Sequence, residues 1–480
     1  MASAKTWKMY INGKWVDAAN GGTFEDYNPY TGEVYAHVPA GKAEDARRAV
    51  EAARAAFPEW AETPPGEKRK IFLKAADVME RRQDELVKAM GEEVGGTVPI
   101  SQFQMNFVPG LYRSAAAAAY QVKGETIPAD KPKAFFMAIR QPAGVVGCFG
   151  PFNVPYILSS RAFALPLAYG NTAVLKPSEE APLTGGLLLA EIFEEAGLPP
   201  GVLNVITCTR DDAPEVGETI IAHPAVRRIS FTGSTEVGRI IAEQSGRHLK
   251  RAVLELGGKD PLIILGDADV DTAVEKAMVG SFLHQGQICM STERIIIERK
   301  IADEFTEKLK QVAMGLPVGD PTDPNIFIGP LINQRAVDKV HSHVQDAVAA
   351  GAELVAGGRY DRLLYYPTVV LDVDPTTKLY TEQTFGPVAS ITVVDDPEEA
   401  LVTANNSSYG LSSGILTNDF SRALDIAMRL ETGMVHIGDQ TVNDEPQVPF
   451  GGVKNSGYGR MGGEAALDEF TELRWISVQR

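Results

Sequence analysis

Residues Arg228 to Gly238 read RISFTGSTEVG. A short apolar run to Phe231 is followed by Gly233, then by Ser234 and Thr235, residue types that cap helices, so the stretch reads as a strand, a turn and a helix starting near Glu236. The free backbone amides and dipole of such a helix start favour phosphate. The spacing is GxxxxG rather than GxGxxG, and a glycine turn with a Ser or Thr cap also serves purely structural ends in many α/β proteins.

Working outward, strand-like runs at Val145–Phe149, Thr172–Leu175, Leu203–Ile206, Arg228–Phe231 and Ala252–Glu255 alternate with helical stretches. This βαβ order predicts an α/β fold with a parallel sheet covered on both faces, its ligands at the carboxyl ends of the strands. Asn153, Lys176 and the turn after Phe231 all fall at those ends. From Asp267 to Gly438 a second alternation runs through Arg294–Glu298, Tyr366–Leu371, Ser390–Val394, Ser413–Leu416 and Met434–Ile437, predicting a second α/β domain, with Gly315 to Asn333 as a long surface loop.

On the N-terminal side, Met9 to Val16 alternates around Asn12-Gly13, the signature of a tight hairpin, and Asn28 to Gly32 reads as a turn. Helices are expected at Ala43–Ala61, Gly66–Gly91 and Ser101–Tyr120. Lys123 to Val146 is polar and proline-bearing, then alternating, which fits an arm leaving a compact domain and equally a surface hairpin.

At 480 residues the chain is expected to form two or three domains, at about 100 to 200 residues each. Lys plus Arg number 46 against 63 Asp plus Glu, a net charge of -17, which disfavours a nucleic acid partner. Three cysteines, Cys148, Cys208 and Cys289, make no disulfide framework and fit a reducing, cytoplasmic compartment. Met1 to Trp15 lacks a signal-peptide core, and the alanine run Ala115 to Ala119 is far too short to span a membrane. The seven histidines are scattered and no CxxC pair occurs, so no metal is expected.

Chemistry concentrates in three stretches. Ser281 to Ser291, SFLHQGQICMS, sets Cys289 after Gly280 and Gly286, which read as turns bending the backbone around the sulfur; a lone cysteine is more often a small buried hydrophobe. Leu254 to Pro261, LELGGKDP, puts Glu255 among apolar neighbours before a glycine pair, where desolvation lifts a carboxyl towards neutrality and suits it as a base, though a salt-bridged strand-end Glu fits as well. Gly150 to Pro155, GPFNVP, offers the Asn153 amide as an oxyanion donor or simply as a turn or helix cap.

Together, in this order and spacing, these stretches resemble the NAD(P)-dependent aldehyde dehydrogenase superfamily from about Tyr10 to the C-terminus. The resemblance implies a Rossmann-like NAD-binding domain (1–122 and 142–255), a catalytic domain (256–465) and a small β oligomerisation arm (123–141 and 466–480) serving a homodimer or homotetramer. It implies Cys289 as nucleophile, Glu255 as base and Asn153 as oxyanion donor. It further implies Gly233, Ser234 and Gly238 at the pyrophosphate, with Leu256 beside the cofactor, and Lys176 and Glu179 of KPSE at the adenosine ribose. A carboxylate near the 2′ position favours NAD, with NADP taken more weakly. The family's Glu-x-Phe-Gly-Pro appears here as Gln383-Thr384-Phe385-Gly386-Pro387, with Glu382 one place early; Gln383 still has a hydrogen bond to offer the nicotinamide ribose, but a weaker one, and Phe385 is expected beside the nicotinamide.

HQGQICMS, the loop VNDEPQVPFGGVKNSGYGR (Val442–Arg460) and EFTELRWISVQ are similar to the benzaldehyde, salicylaldehyde and vanillin dehydrogenase branch, implying an aromatic aldehyde. Ile157, Arg161, Leu283, Ile288, Met290 and Phe450 align with the family's substrate tunnel, where Arg161 meets a ring hydroxyl or carboxylate; each alone is equally an ordinary core residue, and Arg161 a surface ion pair. Alternatives are an aliphatic aldehyde dehydrogenase, a thiol hydrolase or acyltransferase with His284 as base, which would have no need of FTGSTEVG, and a silent member of the fold.

Overall fold

The protein is described by a computed structural model covering residues 4–479. An eight-stranded sheet places the segments in the order 457–458, 251–255, 226–232, 145–149, 172–176, 203–205, 9–11 and 14–16. The five strands from Arg251–Glu255 to Leu203–Val205 are mutually parallel, as the strand and helix alternation predicts, and both edges are closed by antiparallel pairs. Their apolar sequences are buried on both faces, which a parallel sheet between helix layers requires. The hairpin at Asn12-Gly13 forms as expected, with φ of 53° and 70° at the two turn residues.

The second alternation builds a seven-stranded sheet in the order 353–356, 368–371, 388–394, 292–298, 260–264, 414–416 and 436–437. Its strand Asp260–Ile264 follows almost directly on the strand Arg251–Glu255 of the first sheet, and the glycine pair Gly257-Gly258 carries the chain from one sheet into the other. A third, antiparallel sheet joins Gly124–Ile127, Ala134–Pro142 and Thr471–Gln479.

Two expectations change. The helix predicted over Gly66–Gly91 is two helices, Pro65–Arg81 and Gln83–Val94, parted at Arg82 (φ -94°, ψ 12°), whose guanidinium reaches Glu85 and Glu191. No glycine or proline marks that break. Gly280 is not a turn residue but lies within the helix Val270–Phe282, against Thr292.

Candidate active site

Asn153, Glu255 and Cys289 reach one place by three routes. Asn153 follows the strand Val145–Phe149, Glu255 ends the strand Arg251–Glu255, and Cys289 lies beyond the helix Val270–Phe282 in a tight loop. The bend in that loop is made by His284, Gln285 and Gly286, all with positive φ (52°, 56° and 68°). Gly286 packs against the Gly386 backbone, where no side chain fits. His284 is fully buried and its Nε2 donates to the Asn153 carbonyl at 2.7 Å, while Asn153 Nδ2 donates to the Gln287 carbonyl at 2.8 Å. The cysteine loop and the GPFNVP loop are therefore bolted together. With its Nε2 engaged and burial holding its pKa down to about 4, His284 is a neutral strut rather than a base for the sulfur.

Glu255 is 1 % exposed and has no cationic partner in hydrogen-bonding contact; neither carboxylate oxygen has a hydrogen-bonding partner by distance and angle. Burial raises its pKa to about 8, and the neighbouring Cys289 thiol and Arg161 offset only part of that rise. The thiol is in turn pushed well above its usual value, first by burial and then by the Glu255 charge. Cys289 alone of the three cysteines keeps some accessible surface; Cys148 and Cys208 are buried. An accessible thiol beside an unpaired, proton-hungry carboxyl can form a covalent adduct and pass protons to and from it.

The predicted pocket residues also converge. Ile157, Ile288, Met290 and Phe450 belong to one buried cluster against which Leu283 and Cys289 pack. Arg161 sits one helical turn after Ile157 on the wholly buried helix Pro155–Ala168. It is not a surface pair: its Nη2 meets Asp444 Oδ2 at 2.6 Å, and its guanidinium lies 4.5 Å from the centre of the Phe450 ring. Arg161 Nε and Nη1 and Asp444 Oδ1 are buried without partners. Asp444 was missed in the sequence because nothing in VNDEPQ distinguishes it from a loop acid.

Along the carboxyl edge of the first sheet, Ser234 caps the helix Thr235–Arg247 by accepting the Val237 N–H at 3.3 Å, and Gly233 N–H donates to the Glu255 carbonyl at 3.0 Å. Gly238 lies over Leu256, with which any Cβ would collide, so glycine lets this helix approach the sheet. Lys176 Nζ and Glu179 Oε2 are 3.7 Å apart. Gln383 Oε1 stands over Gly257, whereas Glu382 turns away to His343 at 3.6 Å and does not replace the missing glutamate. Phe385 (φ 61°) meets Phe152 edge-on, and its N–H donates to Glu293 Oε1 at 2.9 Å. Glu293 also pairs with buried Lys259 at 2.5 Å. That ion pair holds the QTFGP loop, and neither residue was singled out in the sequence. Among the described residues no group of three or more His, Cys, Asp or Glu side chains is placed to hold a metal ion, and no helix is long and apolar enough to cross a membrane.

The family model described as "Aldehyde dehydrogenase family" matches residues 15–476. The chain is 47% identical to the vanillin dehydrogenase of Pseudomonas fluorescens over 98% of this chain and 97% of that one. It is 43% identical to the NAD(+) benzaldehyde dehydrogenase of Pseudomonas putida, covering 98% and 95%. The crystal structure of a salicylaldehyde dehydrogenase from Pseudomonas putida G7, complexed with salicylaldehyde, superposes with a TM-score of 0.97 at 42% identity, covering 99% and 98%. With nearly the whole length of the chain matched in sequence and in fold, this protein is a member of the aldehyde dehydrogenase family, an oxidoreductase acting on aldehydes.

Proposed function

We propose that this protein oxidises an aromatic aldehyde to the carboxylic acid with NAD, and the observation that carries the reading is the convergence of Cys289, Glu255 and Asn153 beside the apolar side chains of Ile157, Ile288, Met290 and Phe450. The names of the benzaldehyde, vanillin and salicylaldehyde relatives support the aromatic choice. Glu255, once unprotonated, takes the proton of the Cys289 thiol, and the sulfur bonds to the aldehyde carbon. The carbonyl oxygen becomes an oxyanion, which the second hydrogen of Asn153 Nδ2 and the Cys289 N–H stabilise. Bound NAD supplies the acceptor for the hydride that this carbon loses. Glu255 passes that first proton to solvent, then accepts a proton from the water that attacks the thioester left on Cys289 and returns it to the departing thiolate, so that the acid leaves as the thiol reforms.

The residues at the sheet edge fit the dinucleotide. The helix start after Ser234 offers N–H donors to the pyrophosphate, with Gly233 and Gly238 clearing its approach and Leu256 forming its floor. Lys176 and Glu179 would hold the adenosine ribose, and Gln383 with Phe385 the nicotinamide half. Retention of Glu255 favours water over coenzyme A as the thioester acceptor.

Residues 1–122 and 142–255 are assigned to the NAD domain and 256–465 to the catalytic domain, with 123–141 and 466–480 as the arm; residues 1–3 and 480 lie outside the described structure. The arm's exposed Leu473, Trp475 and Val478 beside open strand edges support a homodimer or homotetramer. Three unpaired thiols support a cytoplasmic location. The test is NADH formation, followed by its absorbance, with benzaldehyde, vanillin, hexanal and acetaldehyde: the ring substrates should have the higher kcat/KM, and a preference for the aliphatic pair overturns the aromatic assignment.

A further inference from the structure

Lys259 lies four residues past Glu255, and Glu293 lies four residues past Cys289. Both stand at the head of neighbouring parallel strands, Asp260–Ile264 and Thr292–Glu298, where Asp260 faces Thr292. The next strand of the same sheet, Val388–Val394, also parallel, begins just after the loop that carries Gln383 and Phe385. Three adjacent strand starts therefore lead out of the segments of the base, the nucleophile and the nicotinamide loop.

One buried ion pair spans all three. Lys259 Nζ donates to Glu293 Oε2 at 2.5 Å and to Thr384 Oγ1 at 3.2 Å. The Glu293 carboxylate accepts the Thr384 N–H on both oxygens, at 3.0 and 2.8 Å, and the Phe385 N–H at 2.9 Å. Successive amides turned to one side form a concavity for an anion, and here the strand after Cys289 supplies that anion. The loop depends on it, because Phe385 has φ 61°, a left-handed conformation that an aromatic residue keeps only where its surroundings fix it. Ser390 Oγ closes the set by donating to the Glu293 carbonyl at 2.7 Å. Packed apolar side chains would join the strands as firmly as a buried pair of charges does, so cohesion alone does not account for this one.

We propose, resting on the reading of this site as an NAD-dependent dehydrogenase, that Lys259 and Glu293 are positioning residues for hydride transfer: through the Thr384 and Phe385 amides they set the nicotinamide against the carbon held on Cys289. The pair acts at one remove, by tying the loop of Gln383 and Phe385 to the strands that follow Glu255 and Cys289. Hydride transfer depends on the close approach of two bound groups, so it loses most when the loop shifts. Thioester hydrolysis needs Glu255 and water and is spared.

The experiment compares the full unmodified chain with two variants. Glu293→Asp keeps the charge opposite Lys259 but shortens its reach to the loop, and Lys259→Met combined with Glu293→Gln removes both buried charges together, which leaves neither unpaired. Rapid mixing with NAD and benzaldehyde reads hydride transfer as NADH absorbance, with benzaldehyde deuterated at the aldehyde carbon identifying that step, and mass spectrometry of quenched samples reads the decay of the acyl-enzyme on Cys289. In both variants NADH formation should slow by about 10- to 100-fold, the cost of misplacing reacting groups, while acyl-enzyme decay keeps its rate and the double variant keeps its Tm. A purely structural pair would lower Tm and leave the rate of NADH formation per folded molecule unchanged. That result, or equal slowing of hydride transfer and acyl-enzyme decay, overturns the proposal, and Glu293→Asp decides alone if the double variant does not fold. No NADH from any aldehyde with the unmodified protein would instead sink the dehydrogenase reading itself.

Discussion

Arg161 Nη2 and Asp444 Oδ2 stand 2.6 Å apart with their side chains 2% and 7% exposed, an ion pair whose guanidinium lies against the Phe107 and Phe450 rings. Removing one partner leaves the other charge buried. Arg161→Met should therefore cost about 3 to 5 kcal/mol of stability, read as a fall in Tm, and should hurt vanillin and salicylaldehyde roughly 5- to 150-fold more than benzaldehyde. Arg161→Met combined with Asp444→Leu should restore Tm without restoring the preference for the ring hydroxyl. Equal loss on all three aldehydes would show that the pair is structural only.

Glu255, raised to about 8 by burial, must be unprotonated to accept a proton from water. Thioester hydrolysis should climb with pH through about 8 and then level, as measured by rapid-mixing decay of the acyl-enzyme. The stability contribution has the opposite slope. Because the folded pKa lies above the ordinary 4.5, the folded state binds the proton more tightly, so this group's support for the fold is complete below about 4.5 and is lost as pH rises through about 8. In Glu255→Gln the acyl-enzyme should accumulate, visible as a mass increment on Cys289, and the pH limb should vanish.

Cys289→Ala should form no NADH from any aldehyde while retaining NAD binding by calorimetry, since the sulfur lies in the pocket cluster and not along the dinucleotide edge. Turnover in that variant removes Cys289 as the nucleophile.

Gln383→Glu places a charged acceptor over Gly257 in the position that Glu382, turned towards His343, does not fill. NAD should bind about fivefold more tightly, the difference of ~1 kcal/mol between a charged and a neutral acceptor, and NADH release should slow. Fluorescence titration with NADH tests both.

The parallel sheet was legible from Val145–Phe149, Thr172–Leu175 and their neighbours because strands buried on both faces are short, mainly apolar runs, and the helix after Ser234 was legible from its cap. Turn residues and apolar flanks drew attention to Asn153, Glu255 and Cys289, but each alone read equally as a packing or capping residue, and only the family resemblance gave the three their roles. Arg161 was named, but not its burial, since a lone charge on an apolar helix shows nothing of its partner. Asp444 and the Lys259–Glu293 pair went unseen for the same reason: each matters through a residue far away in the chain. The switch of sheets at Gly257-Gly258 leaves no mark on local pattern, and the boundary drawn after Glu255 came from the family resemblance.

The strand that ends in Glu255 has its outer edge covered by Gly457–Tyr458, with Glu255 opposite Gly457. During synthesis the N-terminal sheet can therefore assemble on the ribosome, but that edge stays bare until the polypeptide has been extended past Tyr458 and folded back. Closure of that edge therefore waits on chain completion, and a chain cut short before Gly457 should expose the strand of Glu255 to pairing with other chains.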